Sequence, residues 1–214
     1  AIKSVGRPVV DGILEERKKN GVFSSMEDFI NRMTNKEVNR RTIENFIKSG
    51  AMDSLPGTRR QKVAVAPVLL DNKARERKNA WEGQMSLFDL VSEEEKKEYQ
   101  VSFPDVGEYS KEELLAFEKD ILGVYISGHP LDDYEGLWRK NITATAADFI
   151  VDEETEEAAV KDGMKAVVGG LVAGKVVKTT RSNQLMAFIT LEDLRGTVEV
   201  VVFPRQYAAY QSLL

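Results

Sequence analysis

The stretch LMAFITLEDLRGTVEVVVF, residues 185–203, decides the fold of the C-terminal part of the chain. β-Branched and aromatic residues dominate both halves, and such residues favour extended strands. Arg195-Gly196 between the halves is short enough for a hairpin connection. The preceding stretch VVGGLVAGKVVKT is also β-branched and contains several glycines, so three consecutive antiparallel strands are predicted. Because a three-stranded meander leaves open edges, we expect the natural protein to continue beyond residue 214.

Residues 1–58, in contrast, have the apolar spacing of short helices. Pro8 suits the start of the first helix, and Ser24 with Glu27 predicts a capping box for the second. A longer helix is expected over residues 58–80, with a kink or break at Pro67. The apolar residues expected to be buried are Val9, Val10, Ile13 and Leu14 in the first helix, Phe29, Ile30 and Met33 in the second, and Ile43, Phe46 and Ile47 in the third.

Charge is unevenly distributed along the 214 residues. Residues 1–62 carry 13 Lys and Arg against 8 Asp and Glu, whereas residues 92–162 carry 7 against 20, and the whole chain has a net charge of −5. Basic regions attract polyanions, although any charged run can simply be a solvated surface. The predicted segments are a helical module (1–58), a helix and linker (59–91), an acidic helical connector (92–162) and the strands (163–214).

Composition excludes several kinds of site. Cysteine is absent and His129 is the single histidine, so disulfides, thiolate metal sites and histidine-cluster metal sites are excluded, and no metal site is predicted. No apolar run is long enough to span a membrane, and no targeting signal is present, so we expect a cytoplasmic protein without a membrane partner.

The stretch IKSVGR, residues 2–7, predicts a phosphate-binding turn. It resembles the apolar-x-Gly-apolar-Gly hairpin of a helix-hairpin-helix unit, with Ser4 in place of the first glycine. A tight turn into a helix N-terminus directs backbone N–H groups at an anion. An ordinary turn before a helix is the alternative. The residues assigned to duplex-phosphate binding are Lys3, Ser4, Val5, Gly6 and Arg7, with Lys48 and Gly50 in a second, weaker candidate.

The predicted strands carry a second candidate surface. An OB barrel binds single-stranded nucleic acid with cations that follow the backbone and aromatic side chains that stack on bases. Lys175, Lys178, Arg181 and Phe188 are the residues assigned to this role. The alternative is that Phe188 packs in the core and the cations are merely exposed.

The linker contains the short apolar stretch QMSLF, which is Gln84, Met85, Ser86, Leu87 and Phe88. Leu87 and Phe88 can anchor an extended peptide in a hydrophobic pocket of another protein. The alternative is that both side chains pack on the chain's own helices.

Five stretches of the chain, taken in order, resemble the C-terminal region of the C-family replicative polymerases, the bacterial DNA polymerase III alpha subunits. These stretches are IKSVGRPVVDGILEERKKNGVFSSMEDFINRM, NRRTIENFIKSGAMDSL, GQMSLFDL, EKDILGVYISGHPLDDY and MAFITLEDLRGTVEVVVFP. The resemblance covers nearly the whole chain. It implies an α+β multidomain fold: a tandem helix-hairpin-helix module, a helical connector and part of an OB-fold barrel.

The resemblance also implies a function and partners. Residues 1–58 would hold duplex DNA, residues 84–88 would bind the sliding clamp, and residues 163–214 would meet single-stranded DNA or other replisome subunits. The family's DNA-directed DNA polymerase (nucleotidyltransferase) activity uses Mg²⁺ and aspartates in a palm domain upstream of Ala1. We therefore assign no catalytic residue and no cofactor to this fragment, and we expect it to be inactive alone. The alternative is a stand-alone adaptor whose OB-like barrel docks a partner protein.

Overall fold

The computed structural model describes residues 1–33, 38–81, 102–151 and 156–214, with side chains up to residue 78 in the second range. The chain divides into two compact units, Ala1–Ser127 and Gly128–Leu214. The boundary falls within the segment 92–162 that the sequence suggested as one connector. The four-segment division therefore remains a prediction beside this two-unit organisation.

The first unit is helical. Its core is built from apolar side chains that recur every three or four residues, and Ile43, Ile47 and Ala66 at its centre have no exposed surface. Four helices contribute to this core or border it: α1 Arg7–Asn20, α2 Met26–Arg32, α3 Arg40–Lys48 and α4 Arg59–Trp81.

Two expectations for these helices are wrong in detail. In α1 only Val9 is buried, whereas Val10 and Leu14 are 43% and 57% exposed, because they lie about 100° and about 140° around the helix from Val9. The cap of α2 is Ser25 rather than Ser24, and its hydroxyl accepts a hydrogen bond from the Asp28 N–H at 3.0 Å.

The helix α4 runs through Pro67 without a break. A proline removes one backbone hydrogen bond, but packing of Val65, Ala66 and Leu69 in the core holds the surrounding turns in place. The start of α4 is fixed by Thr58 and Gln61: the Gln61 amide oxygen accepts from the Thr58 N–H, and the Thr58 hydroxyl accepts from the Gln61 N–H. This reciprocal cap was not predicted.

The first unit also contains α5, Lys111–Leu122. It begins with a capping box of the Ser-x-x-Glu pattern, with the Ser110 hydroxyl accepting from the Glu113 N–H and the Glu113 carboxylate accepting from the Ser110 N–H. The buried residues of α5 are Leu115, Glu118 and Ile121. A charged residue on this buried stripe indicates a specific partner, which is described below.

The second unit contains an antiparallel sheet in the order β1-β2-β3, formed by Leu171–Thr179, Leu185–Asp193 and Gly196–Val202. A bulge between Val172 and Gly174 shifts the register of β1 against β2. One face of β2 packs on Tyr207 of α7, Pro204–Tyr210. Ahead of the sheet lie α6, Glu135–Asn141, and two short 3-10 turns, Asp132–Tyr134 and Ala146–Phe149. In the described part of the chain these three strands form an open sheet.

Candidate nucleic-acid interface

The first turn, residues 2–7, closes despite the serine in the place of a glycine. The Val5 N–H donates to the Ile2 carbonyl at 3.2 Å. Ser4 lies in the left-handed region with φ +62°, which glycine adopts readily and other residues do not. Ser4 therefore has the backbone conformation that the missing glycine would supply.

The end of this turn presents the N-terminus of α1 to solvent. Gly6 is the N-cap and is exposed, as are Lys3, Ser4 and Arg7. The Val9 N–H makes a first bond to the Gly6 carbonyl at 3.1 Å. Pro8 has no N–H and the Val9 N–H is already bonded, so an anion at this helix start would meet the Arg7 N–H and the positive end of the helix dipole.

Two other helices hold the first turn in position. The Asn45 side-chain amide of α3 donates to the Lys3 carbonyl at 2.7 Å, and the Lys3 N–H donates to the Ile121 carbonyl of α5 at 3.0 Å. The Lys3 ammonium also bonds the Asp120 carboxylate at 2.9 Å, which lowers the pKa of Asp120. Contacts between residues so far apart in the sequence leave no local pattern to predict them from.

The second turn, residues 49–58, is filled by the chain itself. Gly50 has φ +82°, and an added Cβ would lie only 2.4 Å from Nη2 of Arg59. The Arg59 guanidinium bonds the Asp53 carboxylate at 2.6 Å and the Lys48 carbonyl at 3.2 Å. This cation occupies the space directly against the Gly50 backbone.

Glu118 completes that arrangement from α5. Its fully buried carboxylate accepts from Arg59 Nη1 at 3.1 Å, from the Ile126 N–H at 2.7 Å, and from the N–H and hydroxyl of Ser127 at 2.9 and 2.8 Å. Burial alone would raise the pKa of Glu118, but these hydrogen bonds outweigh burial and leave it below its usual value. The network joins α4, α5 and residues 126–127 inside one unit.

Two lysines beside the second turn, Lys48 and Lys62, also face the protein. The Lys48 ammonium lies over the Phe117 ring at 5.2 Å. Lys62 is buried and donates to the Met52 carbonyl at 2.8 Å, and burial lowers its pKa. The structure therefore presents the first turn to solvent and surrounds Lys48 and Gly50 with internal partners, while a phosphate-binding role for either turn stays a prediction.

The structure brings together two of the four residues predicted on the sheet. Lys178 and Phe188 share one face, and the ammonium lies 4.9 Å from the ring centre. Val176 and Val201 are the cross-strand partners of Phe188 and are 53% and 38% exposed. This set of four residues, here called the Phe188 face, has an aromatic ring, a cation and accessible apolar surface.

Lys175 lies on the opposite face of the sheet. Its ammonium is 5.9 Å from the Tyr207 ring and donates to a Leu214 oxygen at 2.9 Å. A three-residue separation along a strand reverses the side-chain direction, so Lys175 and Lys178 cannot share one face. Arg181 is exposed in the β1–β2 turn.

The predicted clamp peptide, residues 84–88, lies outside the described residues. Within residues 1–33, 38–81, 102–151 and 156–214, no group of three acidic or histidine side chains is placed to hold a metal ion. None of the described helices is long and apolar enough to cross a membrane.

Two family comparisons match the two ends of the chain. A helix-hairpin-helix motif family matches residues 1–62, and an OB-fold nucleic acid binding domain family matches residues 171–214. The first match includes α1 to α3 and the start of α4, and the second includes the open sheet and α7.

Bacterial relatives match nearly every residue. The chain is 38% identical over 213 residues to the DNA polymerase III subunit alpha of Borreliella burgdorferi. The matched region covers 100% of this chain and 18% of the relative. It is 38% identical to the subunit of Deinococcus radiodurans, over 97% of this chain and 15% of the relative. It is 36% identical to the subunit of Thermus aquaticus, over 97% of this chain and 16% of the relative.

The chain spans less than a fifth of the length of these curated relatives. Similarity nevertheless extends over both structural units and includes the two matched domains in the same order. The chain therefore belongs to the DNA polymerase III alpha subunit family, of which it represents one segment with helix-hairpin-helix and OB-fold domains.

Proposed function

We propose that this segment binds DNA and tethers a replicative polymerase to its template without itself catalysing nucleotide transfer. The observation that carries the proposal is the first turn, where Ser4 at φ +62° brings an exposed helix N-terminus to the surface between Lys3 and Arg7. Backbone N–H groups bind a phosphate whatever base is attached to it. Such contacts hold a duplex and still allow it to slide.

The experiment is duplex binding by fluorescence anisotropy between about 50 and 200 mM salt. We expect a steep loss of affinity with salt, and a decrease of about one in the slope for Arg7→Gln, because one phosphate contact is removed. Lys18→Gln is the matched control, since Lys18 is exposed on the same helix about 16 Å away along its axis. Salt-independent binding, or equal slopes for both variants, would contradict the role of the first turn.

The sliding-clamp tether is the finer part of the proposal and rests on residues 84–88. Leu87 and Phe88 would each contribute roughly 1.5–3 kcal/mol when buried in a pocket of the clamp. Tethering raises the local concentration of polymerase at the primer end. Clamp binding should be lost in the Leu87→Ala and Phe88→Ala double variant, and unchanged affinity would remove the tether.

The Phe188 face supports a separate contact with single-stranded DNA. Base stacking on an aromatic ring contributes about 1–3 kcal/mol, and the adjacent Lys178 would pair with the backbone. Phe188→Ala should weaken binding to a short oligothymidine, whereas Lys175→Gln on the opposite face should leave it nearly unchanged. Equal effects of the two substitutions would contradict this assignment.

A protein-docking adaptor is the second candidate, since Val176 and Val201 expose apolar surface beside Phe188. It predicts no binding to either form of DNA. We also expect no nucleotide incorporation by this segment with Mg²⁺.

A further inference from the structure

The N-terminus of α4 is occupied by a carboxylate of this chain. Glu108 accepts from the Arg59 N–H at 2.8 Å and from the Arg60 N–H at 3.1 Å, one bond to each oxygen. The Tyr109 N–H adds a third bond at 2.9 Å. Burial alone would raise the pKa of Glu108, but the three N–H bonds leave it lowered, so the group is an anion near neutral pH.

Glu108 belongs to a segment without helix or strand that lies against the second turn and the start of α4, here called the acidic strap (residues 102–110). The Phe103 ring lies where a side chain on Gly57 would be, since an added Cβ would approach it to 2.8 Å. The Gln61 amide donates to the Pro104 carbonyl at 3.1 Å. The Arg60 guanidinium lies 5.8 Å from the Tyr109 ring. The strap therefore covers the approach to the start of α4.

A second carboxylate from the same part of the chain meets the first turn. Asp120 bonds the Lys3 ammonium at 2.9 Å, and both side chains are exposed. Acidic residues that follow the linker thus contact positive groups of both turns. A phosphate oxygen would need the same N–H groups and the same ammonium.

We propose that the acidic strap is an intramolecular competitor for DNA, and that Glu108 holds a phosphate site at the start of α4 closed until the duplex displaces it. This inference rests on the proposed DNA binding. Beyond that binding, the inference is that the start of α4 has a closed state in which the Glu108 carboxylate occupies the phosphate site.

The strap is built to be displaced. Six of its nine residues are exposed, and none is buried. Segments with little buried apolar surface open at low free-energy cost. Glu118, in contrast, is fully buried with four hydrogen-bond donors, and it would keep α5 in place when the strap leaves.

The test compares Glu108→Gln with Glu112→Gln for binding of a short labelled duplex. Both substitutions remove one negative charge, but Glu112 is exposed in the first turn of α5, whereas Glu108 is the carboxylate that accepts from the Arg59 and Arg60 N–H groups. Glu108→Gln keeps an oxygen that can accept from Arg59 or Arg60, so the fold should be preserved. We expect it to bind the duplex about fivefold more tightly than Glu112→Gln.

Hydrogen exchange of the unmodified protein gives a second measurement that needs no substitution. Adding the duplex should increase exchange at residues 102–109 and keep the Arg59 and Arg60 amides protected. Equal affinities of the two variants, or unchanged exchange in the strap, would overturn the proposal while duplex binding itself stands. Absence of duplex binding by the wild type and by Glu108→Gln would instead overturn the proposed function together with this inference.

Discussion

The first and second turns of the helical module each lead into a helix, yet they expose different groups. The first ends at Gly6, with the start of α1 open to solvent. At the second, Arg59 packs on Gly50, and the start of α4 is capped by Glu108. The difference shows that a turn and a helix N-terminus are not sufficient for an open anion site, because an acidic segment elsewhere in the chain can fill it.

The largest effect is expected from breaking the buried network of the second turn. Glu118→Gln should lower the free energy of unfolding by about 3 kcal/mol, because Arg59 loses a buried partner while its charge remains. Chemical denaturation followed by circular dichroism measures this loss. Glu112→Gln, exposed on the same helix, should change stability little, and equal losses in both variants would contradict the structural role of Glu118.

Gly50→Ala should cost about 2 kcal/mol, since the left-handed backbone is strained for alanine and the new methyl group meets Arg59. Gly123→Ala is the matched control, because Gly123 is left-handed with φ +79° and has no atom within 4 Å of the added Cβ. The difference between the two losses measures the contact with the guanidinium. If Gly123→Ala were as costly as Gly50→Ala, the packing of Arg59 on the turn would contribute nothing.

Low pH should reduce the stabilisation that ionised Glu118 and Glu108 give to the second turn. The pKa of Glu118 and that of Glu108 are lowered from 4.5, so both groups stabilise the folded state above pH 4.5, and this contribution is lost as the pH falls through their folded pKa values. Thermal unfolding below pH 4.5 should therefore depend less steeply on pH in Glu118→Gln than in the wild type. Parallel profiles would argue against a lowered pKa of Glu118.

The smallest effect is expected at the first turn. Ser4→Gly should stabilise the protein by about 0.5–1 kcal/mol, because relief of the left-handed strain exceeds the entropic cost of a glycine. Ser4→Val should be destabilising, since a β-branched residue tolerates this conformation poorly. Thermal melts of the two variants check the order. Ser4→Gly should keep the affinity for DNA and Ser4→Val should reduce it. The reverse order would contradict a role of the turn geometry in DNA binding.

Features with a local cause could be predicted from sequence. The strands follow from β-branched runs, and the Ser110 capping box follows from a four-residue pattern. The place of Ser4 in the first turn followed from its position two residues before Gly6. The face of α1 was harder to predict, because Val9 and Val10 are equally apolar and only packing decides which is buried.

The candidate site shows the same division. Lys178 and Phe188 were predicted together and lie together, whereas Lys175 was grouped with them although strand alternation places it on the other face. The partners of the two turns were not predicted at all. These partners form hydrogen bonds with residues between 42 and 117 positions away in the sequence. They are Asn45, Glu108, Glu118 and Asp120.

The sequence by itself determined the helical and extended regions, the family and the two turns proposed as phosphate sites, because periodicity, turn chemistry and helix caps act over a few residues. Only the tertiary structure decided which turn is open. That choice depends on where α5 and the acidic strap place their carboxylates, and the position of a charge relative to a distant helix end is set by the packing of the whole unit.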